Sequence, residues 1–299
     1  MEQKTFKADL LLILTAAIWG FAFVAQRVGM DYIGPYTYNA LRFTLGSASL
    51  LPLIWLGARK RAQDHPDRPI GNGRATFVGG LIAGFALFAG ASLQQVGMVY
   101  TTAGNAGFIT GLYVVMVPLF GLFWKQRPGA GTWIGALLAT TGLYFLSVTD
   151  ELTISFGDFL VLLSAIFWAG HVLIIGWLSP KMDSLKLSSV QFAVCALLSF
   201  IVALIFESFS PAAIMDALIP ILYGGLFSVG IAYTLQVVAQ RHAHPAHSAI
   251  ILSLEGSFAA LGGWLLLNEV LGLRGLLGCA LMLAGMLLSE LSGYLFKKK

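Results

Sequence analysis

Ten apolar stretches, each roughly 17 to 23 residues long, recur along this chain, and that is the length a helix rising about 1.5 Å per residue needs to cross a hydrocarbon layer of about 30 Å. They fall at 10–29, 36–56, 76–99, 103–123, 132–148, 158–178, 187–206, 217–237, 247–267 and 274–295, and charge, Pro or Gly bounds each one. No water is available inside a bilayer to satisfy backbone N–H and C=O groups, so such segments must be helical. Only 11% of the residues are charged, against about 25% in soluble domains. Only about 90 residues lie outside the ten stretches, with no polar run of domain size among them. The sequence therefore predicts an all-α, polytopic membrane protein of ten transmembrane helices, whose activity must reside in the helices themselves.

The net charge of +4 is first a topology signal, because cytoplasmic flanks collect Lys and Arg. With the N-terminus inside, the inner segments hold Lys4, Lys7, Arg59, Lys60, Arg61, Arg68, Arg74, Lys125, Arg127, Lys181, Lys186, Arg241 and Lys297 to Lys299, which is 15 of the 18 basic residues. The outer segments hold Arg27 and Arg274, and Arg42 falls within a span. Both termini are expected in the cytoplasm. Cys195 and Cys279 sit inside apolar runs and read as small hydrophobes rather than as a disulfide or metal pair.

The two halves of the chain match at offsets that change only across loops. The offset is 149 for Asp9 and Asp158, Ala16 and Ala165, and Trp19 and Trp168. It becomes 140 for Gly84 and Gly224 and for Ala106 and Ala246, then 143 for Gly135 and Gly278 and for Gly142 and Gly285. Collinear order across five helices points to a duplication, with one repeat at 8–148 and the other at 157–295. Five spans per repeat is an odd number, so the second copy enters the bilayer inverted. Inverted repeats about an axis in the membrane plane are a recurring architecture of secondary transporters, because exchanging the conformations of the halves moves the access point across the membrane.

With Ala17-Ile18-Trp19-Gly20 in the first span, Asn39-Ala40-Leu41-Arg42-Phe43 in the second, Pro118 in the fourth and Leu265-Leu266-Leu267-Asn268-Glu269-Val270-Leu271 closing the ninth, the chain resembles the drug/metabolite transporter superfamily, specifically its ten-helix exporters with two EamA domains. The resemblance covers nearly the whole chain. It implies a bacterial inner-membrane, multi-pass exporter of amino acids and other small metabolites, with a central cavity between the halves. The sequence departs from the usual pattern at Gly256, where the family often has Pro after Glu255, and at Gln126-Arg127, where the first repeat often ends in an acidic residue.

Several intramembrane polar residues are candidates for substrate binding or coupling. Glu255 is the one acidic residue placed deep in a span, and acids at that depth commonly mark ion or substrate pathways; the alternative is a protonated acid bonded to a hydroxyl such as Ser253. Arg42 could snorkel to the interface, pair with a buried acid, or hold a substrate carboxylate. Trp19 and Trp168 occupy equivalent repeat positions and could wall a midplane cavity or pack helices. His171 lies on the face of Trp168, as a titrating group or as a satisfied core histidine. Tyr113 and Tyr233 are weaker candidates, as is Thr110. Gln94 and Gln95 near one membrane face and Gln236 near the other, with Asn105, are candidates for gates or for interhelical glue.

These features predict a secondary-active transporter that exports small organic metabolites, such as amino acids or amphipathic compounds, by alternating access around a central cavity. Its partners are a small-molecule substrate and the lipid bilayer, with proton coupling and a homodimer left open and no nucleic acid or cofactor expected. The sequence contains no Walker motif, so ATP does not drive it directly. A metal-ion transporter is the alternative suggested by His242, His244 and His247, although that loop contains no Cys, Asp or Glu to complete a ligand set. An intramembrane enzyme is the alternative from another class; the chain lacks a G-x-S-x-G elbow, an H-E-x-x-H pair and paired intramembrane aspartates, so no enzyme is expected.

Overall fold

A computed structural model describes residues 2–64, 73–124, 129–147, 154–243 and 245–295, and these contain helices and no strand. Arg68, Lys125, Gln126, Arg127, Asp150, His244 and Lys297 to Lys299 lie outside the described residues. In chain order the helices are α1 (Glu2–Gly29), α2 (Pro35–Asp64), α3 (Gly73–Gly97), α4 (Ala103–Gly111), α5 (Tyr113–Gly121), α6 (Ala130–Ser147), α7 (Phe156–Leu178) and α8 (Ser184–Phe206). They continue with the short α9 (Pro211–Asp216) and α10 (Leu218–Leu222), a π-helical segment Tyr223–Tyr233, α11 (Thr234–Ala239), α12 (Pro245–Ser253), α13 (Glu255–Leu267) and α14 (Leu273–Leu295). Among the described residues, eight stretches are long and apolar enough to cross a membrane. The fifth and tenth apolar runs correspond to the shorter apolar helices Trp133–Leu146 and Leu273–Leu288.

The surface is as apolar as lipid requires. Leu137, Leu204, Ile205, Phe206 and Trp264 are exposed, and on a water-soluble protein so much apolar surface would drive association. Trp55, Trp133 and Trp177 also point outward. Arg59 lies 5.7 Å from the Trp55 ring and Lys181 3.9 Å from the Trp177 ring, the mixed aromatic and basic chemistry of a membrane interface.

Two spans are not continuous helices. The fourth breaks at Leu112 and the ninth at Leu254, where both residues have nearly the same backbone angles (φ −61, ψ −15 and φ −60, ψ −15). At each break the chain tightens to an i→i+3 bond, from Leu112 N to the Ile109 carbonyl (3.1 Å) and from Leu254 N to the Ile251 carbonyl (3.3 Å), which keeps backbone polar groups satisfied inside the bilayer. The broken spans cross each other, α4 on α13 and α5 on α12. The crossing is close because a Cβ on Gly107 would stand 2.4 Å from the Ala259 Cβ, and one on Gly256 would stand 3.1 Å from the Gly107 carbonyl. The departure at Gly256 therefore falls within this close contact.

The remaining packing is reciprocal between the halves. Helix α1 packs on α13 and on the π segment, while α7 packs on α4 and α3; α2 packs on the π segment, while α3 packs on α8. Helices α2 and α8 pack on each other, as do α6 and α14. The α6–α14 contact is nearly backbone to backbone, with a Cβ on Gly142 falling 2.6 Å from the Gly278 carbonyl and one on Gly278 falling 2.7 Å from the Gly142 carbonyl. Small residues are what membrane helices use to approach this closely.

One end of the bundle is tied together by carboxylates. Glu207, just past α8, accepts from Tyr36 N (2.8 Å), Thr37 N (2.7 Å) and the Thr37 hydroxyl (2.6 Å), and so caps α2. Glu269, just past α13, accepts from Ala103 N (2.8 Å) and Gly104 N (3.0 Å) and caps α4. Free N–H groups and the positive dipole end of a helix favour an anion there. Replacing Glu269 with Ala removes both acceptors, and a loss of about 1–2 kcal/mol is expected, read as a lowered melting temperature of the purified protein, with Glu269→Gln intermediate.

Candidate functional site

Where the broken spans cross, a small cavity opens between the halves. Trp19, Phe23 and Gln26 line it from α1, spaced by four and three residues so that all three share one helical face. Trp168, His171 and Val172 line it from α7, and Ser228 and Tyr233 from the π segment. Ser228 and Tyr233 stand five residues apart, a spacing that i→i+5 bonding brings toward one side. Arg42, Gln94, Thr110, Tyr113, Gln236 and Glu255 complete the wall. The cavity measures about 30 Å³, room for one or two waters and far below the roughly 300 Å³ or more of a pocket that holds an organic ligand.

Tyr233 stands between the paired indoles, its ring 4.5 Å from Trp19 and 6.1 Å from Trp168. Trp19 Nε1 donates to the Ser228 carbonyl at 3.2 Å. Trp168 Nε1 donates to Gln94 Oε1 at 2.8 Å, and Gln94 Nε2 donates to Gln26 Oε1 at 3.0 Å. The amide of Gln94 is thereby oriented by its neighbours on α7 and α1. His171 Nε2 shares a 2.8 Å hydrogen bond with Gln191 Oε1, so it is a satisfied core histidine that also faces the cavity.

Arg42 is 2% exposed and turns inward, which removes the snorkelling alternative. Its Nε donates to Asn39 Oδ1 at 2.9 Å, its guanidinium lies over Phe43 (4.9 Å) and Tyr38 (5.4 Å), and its Nη2 has no partner. Glu255 is 3% exposed and is the first residue of α13. The positive end of the helix dipole offsets part of the cost of a charge at that depth. Ser253 gives its hydroxyl to the Ile250 carbonyl (2.6 Å), and the Tyr113 hydroxyl faces the Glu255 carboxyl.

Of the residues picked out from sequence, Glu255, Trp19, Trp168, Arg42, His171, Tyr113, Tyr233, Gln94 and Gln236 line this one cavity. Gln94 and Gln236 thus share a cavity instead of standing at separate mouths. Gln95 lies outside its wall, with Nε2 donating to the Gln26 carbonyl at 3.3 Å, and so does Asn105, which is in the first turn of α4. Phe23, Gln26, Val172 and Ser228 were missed. The first three follow from helical spacing counted from the two tryptophans. His242 is exposed and His247 Nε2 bonds Asp9 Oδ1 at 2.8 Å. Among the described residues, no three metal-ligating side chains gather.

The EamA-like transporter family model matches residues 6–148 and 155–291. The chain belongs to the EamA-like transporter family. An uncharacterized transporter of Archaeoglobus fulgidus is 32% identical over 293 residues, spanning 96% of this chain and 87% of its own. The uncharacterized transporter YoaV of Bacillus subtilis is 22% identical over 95% of this chain and 96% of its own. A solved crystal structure aligns over 98% of this chain and 99% of its own with a TM-score of 0.68 at 18% identity, a likeness of fold. This EamA-like protein is therefore a multi-pass membrane protein of a transporter family, and neither the family nor these relatives carry the name of an enzyme.

Proposed function

We propose that this EamA-like protein is a secondary-active exporter of small organic metabolites, such as amino acids or amphipathic compounds, in the bacterial inner membrane. It spans the membrane ten times as two inverted five-helix repeats at 8–148 and 157–295 and works by alternating access. The observation that carries this reading is the central cavity, walled by polar and aromatic residues from both halves where two spans break and cross. Reciprocal packing of α1 and α7 against opposite halves supports the inverted arrangement. At about 30 Å³ the cavity is too small for an organic solute and must widen toward one face to admit one. Carboxylate caps at one end of the bundle supply bonds that can break when that end opens.

Counterflow in proteoliposomes across amino acids, nucleosides and organic cations tests this function: at least one solute should exchange faster than in empty liposomes, and none doing so would remove it. Both termini lie in the cytoplasm in this proposal. An impermeant thiol reagent applied to intact cells should then label a Cys at exposed Tyr32 and spare one at exposed Arg241; the reverse pattern would invert the topology.

A further inference from the structure

The second span carries a cation into the middle of the protein with nothing beside it to neutralise the charge. Arg42 is buried, lies on the wall of the central cavity and keeps Nη2 without a hydrogen-bond partner. Asn39, a neutral amide, takes its Nε proton, and the Phe43 and Tyr38 rings offer π faces but no negative charge. Glu255 is the one carboxyl among the residues that line the cavity, where the Tyr113 hydroxyl faces it. Among the described residues, no ion pair joins it to Arg42. Nor does the other half of the chain supply a counter-charge. Helices α2 and α8 begin 149 residues apart, at Pro35 and Ser184, the offset that also relates Trp19 to Trp168. At that spacing Phe43 answers Phe192 and Arg42 answers Gln191, a neutral residue whose Oε1 bonds His171. A guanidinium does not give up its charge, and a buried charge without a partner is among the most costly features a protein can retain.

The size and chemistry of the cavity narrow what can answer that charge. Water can accept the Nη2 proton but leaves the charge in place, and a metal ion or protonated amine would be repelled. The space of about 30 Å³ holds a single small ion and not an organic molecule. The indole N–H groups on the wall are already committed, that of Trp19 to the Ser228 carbonyl and that of Trp168 to Gln94, so the charged donor left over is the Arg42 guanidinium. We propose that Arg42 holds a small inorganic anion, of halide size, inside the cavity. The ion cancels the buried charge and completes the hydrogen bonding of Nη2. A carboxylate at position 255 opposes the ion, and a neutral side chain there does not. The proposal goes beyond the transport reading above, since it concerns an inorganic ligand that fits the cavity before it widens, with the organic solute a separate occupant.

The test measures equilibrium binding of radioactive chloride to the purified full-length protein, in a buffer whose other anion is gluconate, too large for the cavity. The wild type should bind chloride saturably, with bromide displacing it and gluconate not. Arg42→Gln should lower the affinity about tenfold or more, the loss expected when one charge-assisted contact goes. Glu255→Gln, which cannot carry a negative charge, should bind at least as tightly as the wild type. If Arg42→Gln fails to fold, Arg42→Lys takes its place, and it should bind more weakly than the wild type because it lacks the guanidinium fork. An absence of saturable chloride binding in the wild type means that water alone meets Arg42, and overturns the proposal. A variant at position 42 that binds as tightly as the wild type also overturns it, as does a loss in Glu255→Gln equal to that in Arg42→Gln. Saturable binding without counterflow of any organic solute would instead sink the transport reading and leave the anion site standing, whereas counterflow with no chloride binding would do the reverse.

Discussion

Gly278→Val should prevent stable folding, and Gly142→Val should do the same. A Cβ at position 278 would stand 2.7 Å from the Gly142 carbonyl and 2.9 Å from Leu146 N, and one at position 142 would stand 2.7 Å from Met282 N. These obstacles are backbone atoms, which cannot swing aside as a flexible side chain can, so α6 and α14 must separate along their shared seam. The loss should lie at the upper end of the about 1–3 kcal/mol typical of overpacked cores, or beyond it. The readout is the melting temperature and the monodisperse fraction in detergent. Gly57→Val is the control: nothing lies within 4 Å of a Cβ there, so its melting temperature should stay near wild type. Gly278→Val with an unchanged melting temperature would refute the close seam.

Trp168→Ala should slow counterflow by about tenfold or more, since it removes both a hydrogen bond and a large contact surface. The indole lies against Gly90, where a Cβ would be 3.2 Å from the ring, and it holds the Gln94 carbonyl through Nε1. Its loss widens the cavity and frees an amide that also bonds Gln26. Trp168→Phe keeps a ring while breaking the bond, so it should transport at an intermediate rate. Leu187→Ala, in a cluster away from the cavity and fully buried, should instead reduce stability by about 2–5 kcal/mol before it affects transport. Normal rates in Trp168→Ala would remove its role in the wall.

The spans were legible because hydropathy over about 20 residues is set by the bilayer and not by tertiary context. The paired tryptophans were legible through the repeat, and their neighbours Phe23, Gln26 and Val172 were within reach of a count by helical turns. The breaks at Leu112 and Leu254 were not legible. Leucine is a good helix former, and Pro118 sits six residues past the first break, inside α5. The two broken spans meet at Gly107 and Gly256, a contact between residues far apart in the chain that no local pattern announces. The π segment escaped for a related reason, since i→i+5 bonding has no side-chain signature and Ser228 is out of α-helical step with Tyr233. Glu269 stood in a recognisable motif, but that it caps α4 depends on where α13 ends relative to α4. Arg42 was placed within its span, yet only its surroundings decide between the interface and the interior.

The distribution of tryptophans gives this protein a built-in optical reporter. Trp55, Trp133, Trp177 and Trp264 face outward, whereas Trp19 and Trp168 border the cavity with Tyr233 between them. An outward-facing indole senses lipid or detergent and is indifferent to what enters the centre. The two inner indoles are tied by hydrogen bonds to the Ser228 carbonyl and to Gln94, so widening the cavity around a solute changes the polarity and bonding of both rings. Emission from a variant in which Trp55, Trp124, Trp133, Trp177 and Trp264 are all replaced by Phe would come from the two inner indoles alone, allowing a solute to be followed without a label and on the timescale of the conformational change itself.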